Sequence, residues 1–311
     1  MTGRCAPSCE DEILFPETRF PPLAAQQASY GHLVSRGYQI MRTRRVVMAG
    51  LARNVAWLLP RTIARIESLG SLFADYRVVI YENDSTDGTR EMIHRWSEDN
   101  PRVTLLSEVR HDPVNRPIRC LRRAQRMAYY RNKYHDFIAA ECAGYDEVMV
   151  IDTDLAGGWS FDGIANTYGH GGWDFVGSYG VIYKRLGLRP NCLCHYDAWA
   201  FRNNSDYQPL SSRHVNALHW HRGEPMVRVY SCFGGLGIYR TEAFLSGRYD
   251  GQDCEHIALH RQMCANGYRR TFLNPSQITI YGRKRRKLDD LMSLCEITVA
   301  ACTLRPSAVW Y

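Results

Sequence analysis

Between residues 45 and 152, short apolar runs alternate with amphipathic stretches. That alternation restricts the chain to parallel β-α-β units. Strands are expected at Arg45–Leu51, Tyr76–Tyr81, Val103–Leu106 and Glu147–Ile151, each an apolar or β-branched run. A helix is expected from an Asn54 N-cap through Leu69, with Val55, Leu58, Leu59, Ile63 and Ile66 on one face. Pro60 must either kink that helix or delay its start. Further helices are expected over Thr89–Glu98 and roughly 118–143.

Outside this region the signals are weaker. Pro7, Pro16, Pro21 and Pro22 interrupt an N-terminal arm, residues 1–44, which carries a short helix over Tyr30–Met41. Beyond Asp152, a strand is expected at Trp173–Ser178, a loop over 191–223, helices at Thr241–Leu245 and Glu255–Ala265, and a last strand at Ile278–Tyr281. Gly234, Gly235 and Gly237 point to backbone packed against a ligand or another segment. The expected division is an arm (1–44), an α/β domain (45–282) and a basic tail (283–311).

With 45% hydrophobic and 23% charged residues in 311, disorder and a coiled coil are excluded. The net charge of +7 suits a phosphate-bearing ligand, an anionic surface or nucleic acid without choosing among them. Eleven scattered cysteines lack zinc-like spacing and read as free thiols of a reducing compartment. No apolar stretch approaches the roughly 20 residues of a membrane helix, and Met1–Glu12 does not read as a signal peptide. The expectation is a cytoplasmic protein, peripheral to a membrane where the tail Arg283–Lys287 meets an anionic surface.

In an open parallel sheet, ligands bind at the carboxyl ends of the strands. Two acidic turns are placed there, Glu82–Asp87 and Asp152-Thr153-Asp154. Asp87 is read as a helix cap. Asp152 and Asp154, one residue apart after an apolar strand, repel each other unless a cation holds them. Mg²⁺ or Mn²⁺ fits, since such ions take oxygen ligands and bridge to phosphates.

Together these residues resemble the GT-A fold glycosyltransferases. Tyr81-Glu82-Asn83-Asp84-Ser85-Thr86-Asp87-Gly88-Thr89 is similar to their nucleotide-binding turn, and Asp152-Thr153-Asp154 to their D-x-D metal motif. A further resemblance, to the fungal capsule-associated α-1,3-mannosyltransferase family, is carried in order by Tyr81–Thr89, Arg131-Asn132, Tyr196–Arg202, Ser231–Gly235 and Cys254-Glu255. Against that family, this sequence shows no N-terminal membrane anchor and a fuller metal motif.

The resemblance implies a single α/β domain of GT-A type, with a mixed, mainly parallel sheet. It also implies a nucleoside-diphosphate sugar donor and a glycan or other hydroxyl acceptor. Glu82 would accept a hydrogen bond from a ring N–H of uracil or guanine, Asp84 would belong to the nucleotide turn, and Arg53 would lie against base or diphosphate. Asp152 would face the ribose or a metal-bound water, and Asp154 the ion, with His256 completing the metal shell. Arg131 would add a fixed cation and Asp197 a carboxylate at the sugar. Of Asp253 and Glu255, Glu255 is expected beside the sugar's reacting carbon, stabilising charge in a retaining transfer; in an inverting one, either carboxylate would be the base.

A haloacid-dehalogenase-type phosphatase also has D-x-D, but Leu155-Ala156-Gly157 follows it here. A sugar nucleotidyltransferase needs a Gly-rich first loop, which 49–54 is not. A nucleic-acid binder would use Arg119, Arg122, Arg123, Arg126 and the tail, yet no recognised module accompanies them.

Overall fold

In the computed structural model, residues 14–114, 119–186 and 189–282 are described. Helix α1 (Gln27–Met41) leads into β1 (Arg45–Ala52), α2 (Leu59–Gly70), β2 (Asp75–Asn83), α3 (Thr89–Asp99) and β3 (Val103–Glu108). Next come α4 (Leu121–Glu141), β4 (Glu147–Asp152), the short β5 (Gly158–Trp159) and α5 (Phe161–His170). The second half holds β6 (Phe175–Leu186), β7 (Arg189–His195), α6 (Ser212–Ala217), β8 (Val227–Arg228), β9 (Leu236–Arg240), α7 (Thr241–Leu245), α8 (Glu255–Ala265) and β10 (Thr271–Ile280).

One sheet runs β3-β2-β1-β4-β9-β6-β10-β5, with β7 on β6 and β8 on β10. Strands β3, β2, β1 and β4 are parallel, as are β6 and β10, while β9 runs antiparallel between β4 and β6. The mixed, mainly parallel α/β sheet is the expected fold class. Alternation along β1 divides the core: Val47 and Ala49 pack with Ala128, Tyr134 and Ile257, whereas Val46 and Met48 pack with Leu59, Ile66 and Ile164. Helices α4, α7 and α8 therefore cover one face, and α1, α2, α3 and α5 the other.

Several expectations need correction. Asn54 does not cap α2: its backbone is left-handed (φ 54°), and its Oδ1 accepts from Thr86 N–H at 2.8 Å. The helix starts at Leu59 with Pro60 in its first turn, where a missing N–H leaves no hydrogen bond unmade. The expected loop over 191–223 contains the end of a β6–β7 hairpin and α6. Helix α1 lies so close to α5 that a Cβ on Gly37 would fall 1.7 Å from Ala165 O.

These elements belong to one compact unit ending at Tyr281. The basic run Arg283–Lys287 lies outside the described residues. Among the described residues, no helix is long and apolar enough to cross a membrane.

Candidate active site

Strand pairing sets the site. Asp152 ends β4 opposite Leu51 of β1, and its N–H donates to Gly235 O at 2.9 Å. Gly234 (φ 66°) and Gly235 (φ 87°) turn the chain into β9 within reach of Asp152. A Cβ on Gly234 would fall 2.1 Å from Ser178 O, so this glycine answers to a neighbouring segment.

Helix α4 crosses beneath these ends and contributes Arg131, 3% exposed. Its Nε donates to Glu255 Oε1 at 3.0 Å, NH1 to the Tyr134 hydroxyl at 3.1 Å and NH2 to Asp152 Oδ1 at 3.4 Å. Arg131 also lies 5.2 Å from the Phe233 ring centroid. Withdrawal from water opposes its charge, but Tyr134, Glu255 and Asp152 outweigh that and hold its pKa well above the usual value. A helix arginine that looks solvated in sequence is thus the buried hub joining the D-x-D turn to α8.

Asp152, Asp154, Asp197 and Glu255 gather about Arg131. Desolvation raises the Asp152 carboxyl to about 7 against the pull of Arg131, with Asp154, Asp197 and Glu255 adding like charge. Asp197 is raised to about 6, again chiefly by desolvation. Its left-handed backbone (φ 79°) is tolerated by an Asp whose Oδ2 accepts from Gly234 N–H at 2.9 Å. Asp154 is also raised by desolvation; the Tyr281 hydroxyl, donating to Oδ2 at 3.2 Å, opposes this.

The turn bearing Asp152 and Asp154 is clamped from α2. Thr62 Oγ1 donates to Thr153 O at 3.0 Å, and Arg65 NH1 and NH2 donate to Leu155 O and Ala156 O at 3.0 and 3.2 Å. Thr153 Oγ1 donates to Leu51 O at 2.6 Å, fixing the turn to β1. Tyr281 stacks on Tyr196, with ring centroids 4.4 Å apart and planes 8° apart. These clamps went unread in the sequence, where nothing in spacing links positions 62, 65 or 281 to the turn.

Glu82, at the end of β2, is 1% exposed. Its Oε1 accepts from Ser85 N–H at 2.9 Å and its Oε2 from the Ser107 hydroxyl at 2.7 Å. Arg53 donates to Asp112 O and Pro113 O at 2.6 and 3.1 Å and approaches Asp84 at 3.9 Å.

Three of the expected site residues are engaged by other parts of the chain. Asp84, expected at the nucleotide, accepts from the N–H groups of Arg110, His111 and Asp112 and from Asn83 Nδ2. Burial works to raise its pKa, but these hydrogen bonds prevail and hold the carboxyl well below the usual range. It organises the β3 exit loop. Asp253 precedes α8 rather than lying on it; its Oδ2 pairs with Arg202 NH2 at 3.0 Å and its side chain is 44% exposed. His256, expected in a metal shell, is 2% exposed, and neither of its ring nitrogens has a hydrogen-bond partner among the described residues. Its ring stacks on Phe233, centroids 4.0 Å apart, and desolvation with the Arg131 charge keeps it neutral.

No protein-family model matches the sequence, and neither does any curated protein. Among solved structures, the chain is similar to a mannosyltransferase from Pyrobaculum calidifontis in complex with GDP-Man and Mn²⁺, at 15% identity, 92% coverage of this chain and 76% of that one, and TM-score 0.48. It is similar to GalNAc-T7 with UDP, GalNAc and Mn²⁺ at 11% identity and TM-score 0.48, covering 88% of this chain and 54% of that one. A mycobacterial protein gives 13% identity, 89% and 81% coverage and TM-score 0.45.

Proposed function

We propose that the chain is a GT-A-type glycosyltransferase, moving a sugar from a nucleoside-diphosphate donor to a hydroxyl of a glycan or other acceptor. The observation that carries this reading is the gathering of Asp152, Asp154, Asp197 and Glu255 about Arg131, at the carboxyl ends of parallel strands and beside the Glu82–Thr89 turn. The five sequence patches shared with the capsule mannosyltransferases favour a mannose-like sugar.

Asp152 and Asp154, two carboxylates one residue apart on the turn after β4, form a pair suited to a divalent cation. Asp152 and Asp154 would hold Mn²⁺ or Mg²⁺, leaving the remaining positions to diphosphate oxygens and water. When bound, such an ion neutralises charge on the leaving diphosphate. Glu255, paired with Arg131 at 3.0 Å, suits stabilisation of positive charge at the sugar carbon and favours a retaining outcome. Asp197, whose pKa lies near neutrality, suits uptake of the acceptor proton and supports an inverting alternative. The Glu82 carboxylate, anchored by Ser85 and Ser107, would accept from a base N–H.

A panel of UDP- and GDP-sugars, assayed for hydrolysis and transfer with and without Mn²⁺, tests the proposal. Metal-dependent release of UDP or GDP, lost in Asp154→Ala, is expected. The anomeric configuration of the product, read by NMR, separates the two outcomes. No turnover of any sugar nucleotide would remove the reading.

A further inference from the structure

Helix α4 presents a second arginine to the same turn. Residues 123, 127 and 131 are four apart and share one side of the helix. Eight residues at about 1.5 Å each separate Arg123 from Arg131 by roughly 12 Å. The two are held differently. Arg131 is locked between Glu255 and Asp152. Arg123, partly exposed in the first turn, has its guanidinium carbon 5.0 Å from the centroid of the Trp199 ring. Its Nε is buried without a hydrogen-bond partner, and among the described residues it forms no ion pair. Its charge still reaches Asp154, working against the desolvation that raises that carboxyl.

Trp199 is itself held fast. Arg202 NH1 donates to Trp199 O at 2.9 Å, while Arg202 Nε and NH2 are fixed by Tyr207 O at 2.7 Å and Asp253 Oδ2 at 3.0 Å. Two residues earlier, Asp197 anchors the segment to Gly234. The pairing of Asp253 with Arg202 therefore stiffens the support under Arg123. A guanidinium laid on an indole keeps its planar fork of N–H donors, and that fork matches two oxygens of one phosphate. Beside carboxylates that would repel an anion, an arginine without a carboxylate partner is placed to draw one in.

We propose that Arg123, held on Trp199 with its Nε unpartnered, binds a phosphate of the donor's diphosphate. This inference rests on the glycosyltransferase reading of the same site. It assigns Arg123 to the ligand, while exposed Arg122, its neighbour in sequence, adds only surface charge.

Calorimetry on the full chain, with MnCl2 present, tests it by comparing UDP and GDP with uridine and guanosine. Arg123→Ala is expected to weaken whichever diphosphate the wild type binds by at least tenfold, leaving nucleoside affinity unchanged, while Arg122→Ala binds as the wild type does. Arg123→Gln, which retains the length and helix propensity of the side chain, gives the same loss should the alanine variant fold poorly. Wild-type affinity for the diphosphate in both Arg123 variants overturns the inference and leaves the glycosyltransferase reading intact. An equal loss in Arg122→Ala also overturns it, because diffuse attraction would then explain the effect. A wild-type chain that binds neither diphosphate with Mn²⁺ overturns the glycosyltransferase reading and this inference together.

Discussion

Glu255 Oε1 lies 3.0 Å from Arg131 Nε, across 124 residues of sequence, and both side chains are almost wholly withdrawn from water. A buried pair of this kind is costly to break from one side, because the remaining charge loses its partner without regaining water. Arg131→Met is expected to destabilise the fold by about 3–5 kcal/mol. Arg131→Met/Glu255→Leu together should cost clearly less than the two single changes summed. Urea unfolding of the four proteins measures this, and simple additivity would deny the coupling.

The same pairing separates Glu255 from Asp253 functionally. Glu255→Gln is expected to lower turnover far more than donor affinity, since its charge matters most in the transition state. Asp253→Asn loosens the contact of the partly exposed Asp253 with the buried Arg202 and should leave most turnover in place. Steady-state kinetics with parallel donor titrations decide between them. A larger turnover loss in Asp253→Asn would return the catalytic assignment to that residue.

For Asp84, the expected phenotype is stability. Asp84→Ala strands the N–H groups of Arg110, His111 and Asp112, a cost of about 2 kcal/mol or more. Asp84→Gly relieves the left-handed backbone (φ 54°) but loses the same acceptors, so it should recover only part of the deficit. Melting curves measure the loss, while calorimetry with UDP and GDP on the folded variants should show wild-type affinity. A large affinity loss without destabilisation would restore Asp84 to the nucleotide.

The partners of Asp84, in the loop after β3, show where sequence patterns stop. The parallel half was legible because each buried strand is a short apolar run, and the D-x-D turn follows directly from the end of β4. In β10, by contrast, Asn274, Ser276 and Gln277 are fully buried, and Asn274 and Gln277 bond to Asn166, Thr167 and Ser178. A polar interior strand has no apolar signature, so only its end at 278–280 was visible. Arg131 and Arg202 belong to the same class: each is defined by a carboxylate 124 or 51 residues away, which no local period encodes.

His260 offers a pH test. Burial lowers its pKa to about 3, with Nδ1 2.9 Å from Ser231 Oγ and Nε2 3.0 Å from the Tyr239 hydroxyl. From about pH 6.5, the unfolded value, down to the folded value, the unfolded chain binds a proton that the folded chain refuses. Its contribution is therefore complete above about pH 6.5 and falls with pH by up to about 1.4 kcal/mol per unit. The raised carboxyls of Asp152 and Asp197 act in the opposite sense between about pH 4 and their folded values, so the wild-type slope is a sum. Comparison with His260→Phe isolates one component. That variant should be less stable at pH 7.5 and should close the gap as the pH falls to 5; a gap constant with pH would contradict the assignment.

If Asp152 holds the metal as proposed, its pKa, raised to about 7, would tie metal uptake to proton release. A divalent ion requires the ionised carboxylate, so binding at a pH below that value must expel the proton that desolvation keeps there. Asp152 keeps its proton more readily at pH 6.5 than at pH 8.5. Calorimetry of Mn²⁺ binding in the presence of UDP or GDP, run in two buffers of different ionisation enthalpy, counts the protons released. Release near pH 6.5 should fade by pH 8.5, and Asp152→Asn should abolish its share. Asp154→Ala should weaken Mn²⁺ binding at both pH values, since under the proposal its carboxylate would be a ligand beside that of Asp152. Tight Mn²⁺ binding with no proton release at pH 6.5 would mean that the ion sits elsewhere.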